Sequence, residues 1–439
     1  MSVTIPKRIS TAIINSLSAG VVPRIGLEYV AVGRKREIET ILRDLENLSQ
    51  GAAAFRFVVG RYGSGKSFFL QAIRNYAMDR DFVVADVDLS PEKRLSGGGK
   101  AGLETYRELM QRLSTKLRPD GGALEGILQK WINSIKMRLA GEGLPPEDEG
   151  LSAQVEWEIF GIISKMEGFA HGFDFASVVS AYYKALIRGD DEKKHAAIQW
   201  LRGEFATKTE AKVHLRVGEI IGNENWYDYI KLFAAFSARI GYRGFLVFVD
   251  ECVNLYKISN RQSRENNYEK LLSMFNDVMQ GKTGYLGIYM GGTPQFVEDE
   301  RRGLYSYAAL KSRLADSRFV REGYSDFSGP ILRLAQLTHE EIFVLLERLV
   351  EIHAQHFGYT AVLGEKELLA FMNLVFSAPG AEEFITPREI TRDFLSLLNI
   401  LKDDPQADFY SLMRGEGFSL GQDSPEGRDS GDPYASFEV

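Results

Sequence analysis

One eight-residue stretch, Gly60-Arg61-Tyr62-Gly63-Ser64-Gly65-Lys66-Ser67, constrains this chain more than any other. Residues 55–59 (FRFVV) precede it as a short run of strand formers. In residues 67–78, which follow, apolar positions recur at helical spacing. Strand, glycine-rich loop and helix thus frame a complete G-x-x-x-x-G-K-[ST] pattern. Wrapping a polyphosphate in backbone N–H groups requires close approach and unusual backbone angles, which glycines supply. The helix that follows offers its N-terminus, where unpaired N–H groups and the dipole favour an anion. Lys66 is placed to reach the β- and γ-phosphates, and the Ser67 hydroxyl to ligate Mg²⁺. Gly60, Arg61, Tyr62, Gly63, Ser64, Gly65, Lys66, Ser67 and the next residue, Phe68, form the expected nucleotide-binding set, with ATP as the nucleotide.

A second segment turns binding into chemistry. Residues 244–250 (GFLVFVD) form a continuous apolar run suited to a central parallel strand buried on both faces. It ends in the paired acids Asp250 and Glu251. Asp250 is expected to hold Mg²⁺ through its water shell, and Glu251 to orient or deprotonate the attacking water. A third candidate strand, residues 284–290, leads into Gly291-Gly292-Thr293-Pro294, where Thr293 is a candidate sensor of the attacking water or simply part of a glycine turn. Arg313 is the candidate arginine finger, with Arg318 and Arg321 as rivals and a solvated basic helix face as the plain alternative. Arg388, in the first turn of a C-terminal helix, is placed to reach back to the γ-phosphate from a lid.

Between these segments the pattern is α/β at both ends and helical in the middle. Residues 82–89 form a second strand candidate, so the P-loop half opens a parallel sheet. From about 100 to 240 the apolar spacing is helical, in residues 106–117, 124–140, 154–167 and 228–240, and no strand stands out. That insertion accounts for the 250 − 66 = 184 residues from Lys66 to Asp250. The expected organisation has an N-terminal helical segment with a base-binding box (1–50) and the P-loop half of the core (51–100). A helical insertion (101–240) and the acid-bearing half of the core (241–330) follow. A helical lid (331–415) and a disordered acidic tail (416–439) complete it. Thr338 with Glu341, and Thr386-Pro387-Arg388-Glu389, both fit capping boxes in the lid.

Some features carry no chemistry on this reading. His353 and His356 lack further ligands, Cys252 reads as a packed thiol, and Trp226, Tyr227 and Tyr229 as anchors of the insertion. Arg34-Lys35-Arg36 and Arg301-Arg302 read first as solvated surface, with contact to phosphates as the alternative. A net charge of −7 gives nucleic acid no general attraction, so any DNA contact requires a local basic patch. A single cysteine, and no run near the ~20 apolar residues that span a bilayer, lead to the expectation of a cytoplasmic protein without a membrane partner.

Val32-Gly33-Arg34 with Glu37, ahead of the P-loop, resembles the nucleotide-base box of AAA+ ATPases, including the origin-recognition-like branch. That resemblance places Gly33 and Arg34 beside the adenine. The phrases WLRGE (200–204), LRVGEIIG (215–222), FVDECVNLYK and GGTPQFVEDERRGLYSYAALKSRL resemble the ATP-binding protein family of BREX-type phage-defence systems, over about residues 10–400. The resemblance implies an AAA+-like α/β P-loop NTPase core with a large helical insertion. It also implies a C-terminal helical lid, winged-helix-like in one version, and a place in a defence cassette with double-stranded DNA or a helicase as partner. A homo-oligomeric ATPase, motor or switch, is the leading expectation. The alternative is an ATP-binding regulatory module with slow or incidental hydrolysis.

Overall fold

The computed structural model describes residues 4–142, 149–164, 170–315, 326–361, 363–377, 386–404 and 406–414. The expectations for the acidic tail and for Arg318 and Arg321 lie outside them. The chain divides into two compact units, Met1–Arg34 with Arg61–Gln71 and Leu334–Val439, and Lys35–Gly60 with Ala72–Arg333.

The second unit is built on a five-stranded parallel sheet in the order β2-β3-β4-β1-β5. Its strands are β1 (Ala54–Val59), β2 (Val83–Asp88), β3 (Phe245–Asp250), β4 (Leu286–Gly292) and β5 (Ile331–Arg333). The strands β1, β3 and β4 are buried over almost their whole length, which is why their sequences read as apolar runs rather than as alternation. Around them lie α3 (Lys35–Ser49), the bulk of α4 (Lys66–Asp79), α12 (Val253–Tyr256), α13 (Arg261–Met279), α14 (Pro294–Glu298) and α15 (Ala308–Leu314).

Among the described residues, seven helices separate β2 from β3: α5 (Ala101–Gln111), α6 (Leu124–Gly141), α7 (Glu149–Ser164), α8 (Gly172–Arg188), α9 (Asp191–Leu201), α10 (Lys208–Leu215) and α11 (Trp226–Arg239). They share one core with the sheet. On α11, Phe233 meets Phe245 of β3 edge-on at 5.2 Å, and Phe236 meets Trp131 and Phe175 of the other helices. Trp226 and Tyr227 tie α11 to the sheet side, through Leu95 O and Met274 O, as their anchoring role requires. Tyr229 instead packs inside the insertion against Trp200 and His171.

Two details differ from the periodicity. The helix expected over residues 106–117 is α5, which starts at Ala101 and stops at Gln111. Ser114 exchanges backbone hydrogen bonds with Val84 of β2, and Arg74 and Arg112 converge on Asp86, so tertiary pairing claims the end of the periodic stretch. The segment after Gly329-Pro330 is not wholly helical either. It begins with β5, whose three residues are too few to show a period and which gains its hydrogen bonds from β1.

The first unit holds α1 (Lys7–Ser18), α2 (Leu27–Val30), α16 (His339–Phe357), α17 (Glu365–Ser377), α18 (Pro387–Asp403) and α19 (Phe409–Arg414), with residues 61–71. Ile13, Leu346, Leu349, Phe371, Phe394 and Leu395 are central to its core. His353 bonds Tyr359 and Asn399, and His356 bonds Ser10, so both histidines are structural. Among the described residues no helix is long and apolar enough to cross a membrane.

Candidate functional site

The P-loop has the backbone its sequence calls for. Gly63 and Gly65 adopt φ values of +71° and +89°, left-handed conformations that cost an L-residue with a side chain about 1–2 kcal/mol. The Lys66 ammonium donates to the Arg61 carbonyl at 2.8 Å, curling back over the loop. Lys66, Ser67 and Phe68 occupy the first turn of α4, whose leading N–H groups have no acceptor within the helix. Ser64 is 6% exposed, and its hydroxyl has no hydrogen-bond partner among the described residues, a buried polar atom in the loop that a phosphate oxygen would satisfy. Phe68 is half buried and packs on the core of the first unit. The cradle therefore fits a polyphosphate.

Within the same unit, three further segments converge on this loop. Gly33 and Arg34 are consecutive left-handed residues, φ +64° and +62°, and the Arg34 guanidinium donates to the Ser64 carbonyl at 3.1 Å. The helices α16 and α18 both start in complete capping boxes, Thr338 with Glu341 and Thr386 with Glu389. A Cβ at Gly33 would collide with the Glu341 carboxylate, and one at Gly63 with the Thr386 side chain. Both helices thus begin hard against glycines, α16 at Gly33 and α18 at Gly63 of the P-loop. Arg388, the second residue of α18, donates from Nη1 to the Tyr62 hydroxyl at 2.9 Å and lies over the Tyr62 ring. The capping boxes were visible in the sequence, but their seats on Gly33 and Gly63 were not, because nothing local encodes a contact across hundreds of residues.

In the second unit, the strand register fixes where the acids stand. Val59 of β1 pairs with Gly292, and Met290 of the same strand pairs with Val249 of β3. Gly60, the first P-loop residue, donates its N–H to the Gly292 carbonyl, and Cys252 donates to Gly291. Gly60 and the Asp250-Glu251 pair therefore occupy the same carboxyl edge of the sheet. They are two strand spacings apart, or about 10 Å. Asp250 accepts a hydrogen bond from the Glu251 N–H at 2.8 Å, and Glu251 is exposed with φ +55°. A left-handed glutamate persists only where its surroundings impose it, and such residues concentrate at functional sites. Asp88, level with Asp250 on β2 and 3.3 Å from Arg112, is a neighbouring carboxylate the motif reading passed over. Burial and the adjacent acids push the Cys252 thiol well above its usual pKa, so it is inert packing.

Thr293 and Arg313 serve the fold in ways the sequence did not disclose. The Thr293 hydroxyl caps α14 by accepting from the Phe296 N–H, which leaves its proton and a second lone pair to offer elsewhere. Arg313 is exposed and donates from Nε to Asn276 at 3.0 Å. Because β3 and β4 are parallel, α13 between them must run back toward the amino edge of the sheet. Asn276 is 276 − 261 = 15 residues along that helix, or about 22 Å from its start. Arg313 is thus remote from the Asp250-Glu251 pair of its own chain.

Among the described residues no group of three or more His, Cys, Asp or Glu side chains is gathered to hold a metal alone.

A family model described as "BREX system ATP-binding protein BrxC/D" matches residues 5–416. The chain belongs to that family. The match runs across both units, from the start of the first to the end of its last helix. It bears out the resemblance drawn from the P-loop, the paired acids and the phrases around them. No curated protein matches the chain.

Proposed function

We propose that this chain is a Mg²⁺-dependent, AAA+-like ATP hydrolase that acts as motor or switch in a bacterial antiviral complex of the BREX type, with DNA or a helicase as partner. The observation that carries the reading is the shared sheet edge. The loop that cradles phosphate leaves β1 at Gly60, and two acids end β3 about 10 Å away on the same side. Lys66 and the leading N–H groups of α4 bind the β- and γ-phosphates, while Ser67 and Asp250 hold the metal. Mg²⁺ supplies charge neutralisation at the phosphates when it is bound. Glu251 orients the attacking water and takes its proton, Thr293 donates its hydroxyl hydrogen toward that water, and Gly33 and Arg34 line the base side. Arg388 brings a lid charge to the phosphate end.

Arg313, tied to Asn276 near the end of α13, is placed to serve a neighbouring copy rather than its own chain, with Arg318 and Arg321 as its rivals. The reading is of a homo-oligomer in which each site is completed in trans. Phosphate release per chain is expected to rise with protein concentration. Arg313→Ala is expected to remove the rise and to lower the assembled rate by about 10³-fold, the scale of arginine-finger contributions. A near-zero rate, flat over the whole concentration range and indifferent to Arg313→Ala, would instead indicate an ATP-binding regulatory module.

A further inference from the structure

The P-loop pattern places no demand on its second variable position, which here carries tyrosine. Tyr62 is 49% exposed and carries a charged group against its ring. The Arg388 guanidinium carbon lies 5.1 Å from the ring centroid, and Arg388 Nη1 donates to the Tyr62 hydroxyl at 2.9 Å. Two contacts, one to the ring and one to the hydroxyl, therefore hold the guanidinium at Tyr62. The backbone behind Arg388 is fixed as well. Pro387 occupies the first position of α18, and Thr386 and Glu389 close the capping box. The missing side chain of Gly63 lets Thr386 rest against the loop.

A guanidinium carries five N–H donors in a planar fork, and the Tyr62 hydroxyl takes one of them. The remaining donors of such a fork are the groups with which arginine recognises phosphate oxygens. We propose that Tyr62 is a positioning residue. It holds Arg388 at the P-loop in readiness for the terminal phosphate, so that preference for ATP over ADP passes through this pair. The inference rests on the nucleotide-binding reading of the P-loop. Arg388 was legible as a lid residue; its dependence on Tyr62 comes from the geometry alone.

The test is calorimetric titration of the full chain with Mg²⁺·ATP and with Mg²⁺·ADP, for wild type, Tyr62→Ala, Tyr62→Phe, Arg388→Ala and the Tyr62→Ala/Arg388→Ala double variant. Tyr62→Ala and Arg388→Ala are each expected to weaken ATP by about tenfold while leaving ADP within about twofold, in keeping with an exposed cation–π contact and a charged hydrogen bond. The double variant should be no worse than Arg388→Ala, since coupled residues are not additive. Tyr62→Phe keeps the ring and should retain most of the preference for ATP. Losses that multiply in the double variant, or equal weakening of ATP and ADP by Tyr62→Ala, would overturn the positioning role. Lys66→Ala separates this from failure of the parent reading. If it leaves both affinities at wild-type values, or wild type binds neither nucleotide, the P-loop assignment falls and the Tyr62 role with it.

Discussion

Glu251→Gln is expected to keep Mg²⁺·ATP bound and to lower turnover by about 10²–10⁴-fold, the range of a general base. The substitution preserves size and the capacity to accept a hydrogen bond, but an amide cannot take a proton from water. The local backbone gives the glutamate a defined direction. Its φ of +55°, its N–H bonded to Asp250, and the Cys252 N–H bonded to Gly291 form a turn pinned on both sides. Phosphate release at saturating ATP, alongside an equilibrium Kd, separates the two effects. A fall in rate with Kd unchanged supports the role. A fall in both would recast Glu251 as a binding residue, and no fall in rate would exclude it from the chemistry.

The second large effect concerns the strand that carries the P-loop. Arg56 on β1 is buried and donates from Nε and Nη2 to the Asp44 carboxylate on α3, at 2.8 and 2.7 Å. Its Nη1 reaches the carbonyls of Phe327, Ser328 and Gly329, just ahead of β5. One guanidinium thus holds α3, β1 and the approach to β5. Asp44→Ala removes the counter-charge and leaves Arg56 buried with two donors unmet. The expected cost is about 3–5 kcal/mol, the scale for breaking a buried pair from one side. Thermal unfolding should show this as a lower midpoint for the second unit. Replacing both residues together with Asp44→Leu and Arg56→Met should recover part of the loss, because apolar partners leave no orphaned charge. An unchanged midpoint for Asp44→Ala would show that solvent reaches the pair.

How much of this was legible in the sequence follows from how far apart the determinants lie. The P-loop and Asp250-Glu251 are local patterns, so their elements could be read directly, and β1, α4 and β3 formed where the apolar runs placed them. The capping boxes of α16 and α18 were legible for the same reason, since a cap is a matter of four consecutive residues. What escaped were features decided by partners distant in the chain. α5 ends at Gln111 because Ser114 pairs with Val84, and β5 exists only because β1 offers it an edge. Thr293 caps a helix five residues long, and Arg313 is tied to Asn276, neither of which spacing could indicate. The placing of Thr386 on Gly63, and of Arg388 on Tyr62, depended on contacts more than 300 residues apart in the chain.

The central claim is that a glycine-cradled triphosphate on the loop leaving β1 is attacked with the help of acids ending β3. Single-turnover phosphate release, with the assembled chain in excess over ATP and Mg²⁺ present, tests it most directly. The account predicts release that requires Mg²⁺ and falls by orders of magnitude in Lys66→Ala, as expected when positioning and charge stabilisation carry phosphoryl transfer. Release at the wild-type rate in Lys66→Ala, or without any divalent cation, would contradict it.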